Sequence, residues 1–263
     1  MATSQQLAHG QVSQVAQDMI GKVAFVTGSS QGMGKAFAVA LAKRGCDLVI
    51  HHRKNPEEAE LTAQEIRGLG RKVLIVQGDL NTVGTVEKVF PQIMAAFGRI
   101  DIVVNNAAFI YACPIGDTTE AQYDEIFAVN TKVPFFIMKE CAKHMSDNGR
   151  VINITTTSLG ELAPMVSTYV GSKAALEHFS RSFSKEVGPR GITVNMVAPG
   201  PVSTVGLLNF APEFVLDGYK TLASAGRLGE INDIVPAVEF LASPAAQWVT
   251  AQTIFVNGGI HAR

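Results

Sequence analysis

From Gly21 to the C-terminus the chain repeats one unit, a short β-rich run followed by a segment of helical period. "KVAFVT" precedes "MGKAFAVALAKRG", "DLVIHH" precedes "PEEAELTAQEIRGLG", and "KVLIVQ" precedes "VEKVFPQIMAAFG". "IDIVVNN", "RVINIT", "ITVNMVA" and "TIFVN" continue the series with helical tracts between them. Runs apolar on both faces have to be covered on both faces, as in a parallel sheet with crossover helices. Right-handed crossovers then give a doubly wound sheet of the α/β class, with its ligand at the strand C-terminal ends.

The series has no linker, so residues 21–263 are expected to form one domain after a flexible extension, residues 1–20. Pro91 interrupts one helical segment, and the tract from Glu120 onward should bend near Asn130 and Pro134. The least regular stretch, 200–230, follows a strand end and is expected to act as a mobile lid.

Composition narrows the partners. Lys and Arg number 22 against 23 Asp and Glu, a net charge of −1, which gives no reason to expect nucleic acid or an anionic membrane. Cys46, Cys113 and Cys141 are widely spaced and form no CxxC, so neither a disulfide framework nor a zinc cluster is expected and a reducing cytoplasm fits. The histidines show no metal-ligand spacing. No apolar run reaches bilayer length, and the N-terminus lacks the marks of an address signal.

"VTGSSQGMGKA" sets Gly28, Gly32 and Gly34, with Ser30, Gln31 and Met33, between the first strand and the first helix. Glycines there permit a tight turn and close backbone approach, and the helix N-terminus presents free N–H groups to a diphosphate. A glycine-rich turn without a ligand is the plainer alternative. The second strand ends in His51, His52, Arg53 and Lys54 rather than in an acid. A basic end suits a 2′-phosphate, so NADP(H) is expected over NAD(H), with Arg53 as the discriminating fork.

"YVGSK" places Tyr169 and Lys173 on one helix face. An ammonium beside a phenol favours the phenolate, which would bring a tyrosine within reach of acid–base work.

The ordered set "TGSSQGMG", "NNAA" (105–108), "AVN" ending at Asn130, "YVGSK", "APGPVST" (198–204) and "VNGG" (256–259) resembles the short-chain dehydrogenase/reductase family over nearly the whole chain. The resemblance implies a Rossmann-type fold of seven strands, a nicotinamide cofactor, and a homotetramer or dimer. It assigns Tyr169 as general acid/base and Lys173 to the nicotinamide ribose and the tyrosine pKa. Asn130 would hold a water of the proton relay. Asp79 and Leu80 would lie by the adenine, Asn106 and Ala107 by its ribose, and Pro199, Gly200, Val202 and Thr204 by the nicotinamide. Gln31 departs from the basic residue many NADP-preferring members carry, and "NNAA" replaces the commoner "NNAG".

The expected activity is therefore NADP(H)-dependent reduction of a ketone, or oxidation of a secondary alcohol. Pocket residues expected from sequence include Tyr111, Ser158, Met165 and Leu207, beside Phe109, Leu159, Leu208 and Phe210; this apolar, aromatic set suits a medium-sized cyclic or aromatic compound. A cofactor-binding sensor without turnover, or a lyase or isomerase, would share the same fold. In "NITTTSLG" the family's catalytic serine position falls on Thr156, with Ser158 as the competing hydroxyl and Thr157 expected on the other face.

Overall fold

The computed structural model describes residues 17–161 and 163–261. Seven parallel strands form one sheet: β1 (Val23–Val26), β2 (Asp47–His52), β3 (Val73–Gln77), β4 (Ile100–Asn105), β5 (Met145–Ile154), β6 (Thr193–Pro199) and β7 (Thr253–Val256). Their order is β3-β2-β1-β4-β5-β6-β7. The chain winds outward from β1 in one direction and then from β4 in the other, so a crevice opens above the β1/β4 C-terminal ends.

Side-chain alternation along the strands builds two cores. Ala24 and Val26 face a layer with Leu48, Ile50 and Ile152, covered by α1 (Gly32–Lys43), α2 (Pro56–Gly68) and α9 (Ile231–Ala242). Val23 and Phe25 face the opposite layer with Val49, Val103 and Val151. That side is covered by α3 (Val83–Phe97), α5 (Val133–His144) and α6 (Ser167–Val187). Neighbouring residues of one strand thus serve different cores, the period of two expected of a buried strand.

Three expectations need amendment. The packed body starts before Gly21: Met19 is 1% exposed, its N–H donates to the Arg44 carbonyl, and Asp18 pairs with Arg44. Residues 1–16 of the proposed extension lie outside the described residues. Pro91 sits inside α3 without ending it. The stretch 200–230 is more regular than its sequence suggests, carrying α7 (Val205–Phe210) and α8 (Glu213–Leu222). Neither helix contains a buried residue.

The bend near Asn130 takes a specific form. α4 (Glu120–Phe127) passes through a π-helical turn, Ala128–Lys132, into α5, which carries Pro134 in its first turn. A wide turn there offsets the two helices and brings Asn130 under the β4–α4 connection. Among the described residues no helix is long and apolar enough to cross a membrane.

Candidate active site

The glycine loop is shaped by backbone contact. A Cβ at Gly34 would lie 2.2 Å from the Gly28 carbonyl oxygen, and at Gly28, with φ +63°, an added Cβ would lie 3.2 Å from Ala107. The loop is tied to the end of β4: the Asn106 and Ala107 N–H groups both donate to Thr27 Oγ1, at 2.9 and 3.0 Å. Asn106 Nδ2 donates to the Thr27 carbonyl at 3.0 Å. Asn106 therefore fixes the loop as well as lining the cleft.

His51 closes the loop from the other side. The Gly28 N–H donates to its Nδ1 at 3.2 Å, and its Nε2 meets the Gly78 carbonyl at 3.0 Å. This pairing requires the neutral Nε2–H tautomer. Burial pushes the imidazole pKa down to about 4, against opposing pulls from the Gly78 carbonyl and Asp79 and a further push from His52. Because the folded pKa is depressed below 6.5, stability from this staple is present above pH 6.5 and is lost as pH falls toward about 4. His51→Phe should cost about 1–3 kcal/mol in urea unfolding by orphaning the Gly28 N–H. It should also flatten the pH dependence of stability in that window; an unchanged acid limb would contradict the staple.

Around this loop a cleft is lined by Gly28, Ser30, Gln31, Gly32, Met33, Gly34, Arg53, Asp79, Leu80, Asn106 and Ala107. All eleven were expected from sequence, and the fold brings them to one wall. His52 faces the same cleft with its Nδ1 buried and unpartnered among the described residues. A cradle that any Cβ would fill, basic side chains and an open donor–acceptor site fit a phosphorylated dinucleotide.

The cleft continues at Met33, Asn106, Ala108 and Thr204 into a cavity of about 340 Å³. Tyr169, Lys173, Pro199, Gly200 and Val202 line it, as do Thr156, Ser158 and Leu207. The four hydroxyls after β5 divide their work. Thr155 Oγ1 donates to the Val197 carbonyl at 3.1 Å and Thr157 Oγ1 to that of Ala198 at 3.3 Å, stitching β5 to β6. Thr156 accepts from the Ser158 N–H at 3.2 Å and lines the cavity together with Tyr169.

Lys173 is 1% exposed, and its Nζ donates to the Ile154 carbonyl at 2.7 Å. Burial pushes its pKa down to about 7. Burial also raises the Tyr169 phenol, and the neighbouring Thr156 hydroxyl lowers it partway back. The depressed tyrosine pKa expected from the pair is thus not supplied by the protein alone: a desolvated, partly neutral Lys173 cannot by itself hold a phenolate. Asn130 holds the Phe109 backbone through two 2.8 Å hydrogen bonds and donates to Ser172 Oγ at 3.0 Å. Both amide N–H groups are engaged, so its side chain is a tie between α6 and the β4–α4 connection rather than a donor to water.

A family model described as enoyl-(acyl carrier protein) reductase matches residues 28–261. The short chain dehydrogenase mdpC of Emericella nidulans is 36% identical over 251 residues, covering 91% of this chain and 95% of its own. This chain belongs to the short-chain dehydrogenase/reductase family. A hydroxynaphthalene reductase-like protein, Arp2 of Metarhizium brunneum, is 35% identical over 92% of this short-chain dehydrogenase/reductase and 96% of its own length. The crystal structure of the angucycline C-6 ketoreductase LanV with bound NADP superposes with a TM-score of 0.87 at 34% identity, over 92% of this chain and 96% of that one.

Five of the eight expected pocket residues of this short-chain dehydrogenase/reductase lie outside the cavity: Phe109 lines the adjoining cleft, and Tyr111, Leu159, Met165 and Leu208 line neither. The Tyr111 hydroxyl turns away to the Glu125 carboxylate and packs its ring on Phe109. Met165 is 46% exposed with φ +71°, and its neighbour Val166 lines the cavity instead. Phe210 takes the expected place, whereas Glu161 and Tyr219 line the cavity without having been singled out. No local spacing marks either residue: Glu161 follows a short 3-10 turn, and Tyr219 belongs to a helix without a buried face.

Proposed function

We propose that this short-chain dehydrogenase/reductase is an NADP(H)-dependent ketoreductase acting on cyclic, aromatic-type ketones, and the observation carrying this reading is the convergence of Tyr169, Lys173 and Thr156 on a largely apolar cavity that opens into the glycine-loop cleft. NADPH, when bound in the cleft, supplies the hydride. Thr156 orients the substrate carbonyl oxygen, Tyr169 delivers the proton to it, and Lys173 anchors the ribose from the buried side. Pro199, Gly200, Val202 and Thr204 wall off water from the reacting face. The hydroxynaphthalene-reductase-like and C-6 ketoreductase relatives support the substrate class, and LanV with NADP supports the cofactor. Incubation with NADPH and a panel of bicyclic ketones should consume the nicotinamide absorbance. Tight NADPH binding with no consumption on any ketone would point to a non-catalytic binding protein.

A second reading, reduction of a carbon–carbon double bond, draws on the description of the matching family model. An enoyl thioester in the same panel separates the two, since only the ketone should be consumed.

Arg53 lines the cleft beside His52 and Lys54. Loss of a charge-assisted contact to a 2′-phosphate costs about 1.5–3 kcal/mol. Arg53→Ala should therefore weaken NADPH binding by roughly tenfold to a hundredfold and NADH binding little. Equal losses would assign the residue to the adenine or the fold.

The choice of hydroxyl has its own test. Thr156→Val keeps the shape and removes the donor, so turnover should fall about a hundredfold with the fold and NADPH affinity intact, while Thr156→Ser stays active. A harmless Thr156→Val beside an inactive Ser158→Ala would reverse the assignment.

A further inference from the structure

The cavity is chemically two-sided. Tyr169, Thr156 and Lys173 form one polar pole, and Ile110, Val166, Leu207 and Phe210 supply apolar wall. Glu161 and Tyr219 also line it, and neither side chain has a hydrogen-bond partner among the described residues. The two lie within electrostatic reach of each other, since Glu161 helps to raise the Tyr219 phenol.

A third polar group arrives from the C-terminal tail. After β7 the "VNGG" turn reverses the chain, with Gly258 and Gly259 at φ +64° and +81°. Asn257 then anchors the tail by donating from Nδ2 to the His261 carbonyl at 2.8 Å. The His261 imidazole rests on Gly160, where an added Cβ would lie 1.8 Å from its Nε2, and that nitrogen is buried without a hydrogen-bond partner among the described residues. Burial raises the pKa of the neighbouring Glu161 carboxyl, and His261 draws it partway back. A carboxylate in a largely apolar cavity with no internal donor is costly unless a ligand supplies one.

We infer that Glu161, with Tyr219 beside it and His261 behind it, is a specificity site that receives a phenolic or enolic hydroxyl of the substrate remote from the reacting carbonyl. The substrate class is a hydroxylated cyclic ketone: the hydroxyl donates to the Glu161 carboxylate, and the hydrocarbon between the two poles fills the apolar wall. A neutral hydroxyl is favoured over an ammonium because the rest of the cavity wall is largely apolar and would have to desolvate a full cation. The inference rests on the ketoreductase reading given above.

The test pairs α-tetralone with ring-hydroxylated α-tetralones. Selectivity is the ratio of their kcat/KM values with NADPH, and their Kd values are measured by calorimetry on the NADP-loaded protein. The hydroxylated compounds should be preferred by roughly tenfold to a hundredfold, the worth of a hydrogen bond to a charged group. Glu161→Gln should erase most of that preference, Glu161→Asp should restore part of it, and the NADPH Kd should stay unchanged in both. Tyr219→Phe should lower the preference by a smaller factor. Equal Kd values for the plain and hydroxylated compounds overturn the inference, as does a selectivity that survives Glu161→Gln. An amino-substituted tetralone binding better than the hydroxylated one overturns it in favour of a cationic substrate. If no ketone is reduced, the ketoreductase reading fails, while the calorimetric ratio still decides the specificity site.

Discussion

Tyr169→Phe should lower kcat by about 10²–10⁴-fold while NADPH still binds, because it deletes the proton-carrying oxygen and almost no volume. The phenol stands in the cavity wall with Thr156, one helical turn from Lys173. Burial raises its pKa above the ordinary phenol value, so in the protein alone it rests as the protonated acid. That is the form a ketone reduction needs. Pre-steady-state hydride transfer and equilibrium NADPH titration on the same variant separate the two effects. Near-normal turnover would remove Tyr169 from the mechanism, and lost NADPH binding would make it a cofactor residue.

Lys173→Met should harm two quantities together and alter a third. Loss of a buried donor to the ribose should raise the NADPH Kd by roughly tenfold to a hundredfold, with kcat falling as well. A fall in kcat alone would show that Lys173 does not hold the ribose. The third quantity is the pH dependence of stability. The folded amine has a pKa of about 7, against 10.5 for the ordinary lysine. Between those values the unfolded chain holds a proton that the folded chain does not, so this residue makes the fold more stable as pH rises from about 7 to 10.5. Denaturation midpoints of the cofactor-free protein across that range should climb in the parent and climb less in Lys173→Met. Identical slopes would mean that the amine is solvated in the fold.

Much of this was written in one dimension. The strand runs are apolar on both faces, and this alone demands a covered parallel sheet; all seven recur as β1–β7. The glycine loop was legible because its requirement is local: a positive φ at Gly28 and a backbone approach at Gly34 that only glycine allows. The Tyr169–Lys173 spacing was legible because one helix turn sets it.

Other features depend on contacts between segments far apart in sequence. A histidine at a strand end reads as a solvated basic residue, yet His51 becomes a neutral staple because Gly28 and Gly78 meet it in space. Four adjacent hydroxyls look alike until β6 takes two of them. Tyr111 matched an aromatic pocket wall by position, but Glu125 draws its hydroxyl away. Glu161, Tyr219 and His261 come from three separate segments and carry no shared period, so only the packing of the tail and α8 around the cavity puts them together. Periodicity and steric need at a single backbone position are properties of the chain itself, whereas the partner of a polar side chain is chosen by whichever distant group the fold delivers within hydrogen-bond range.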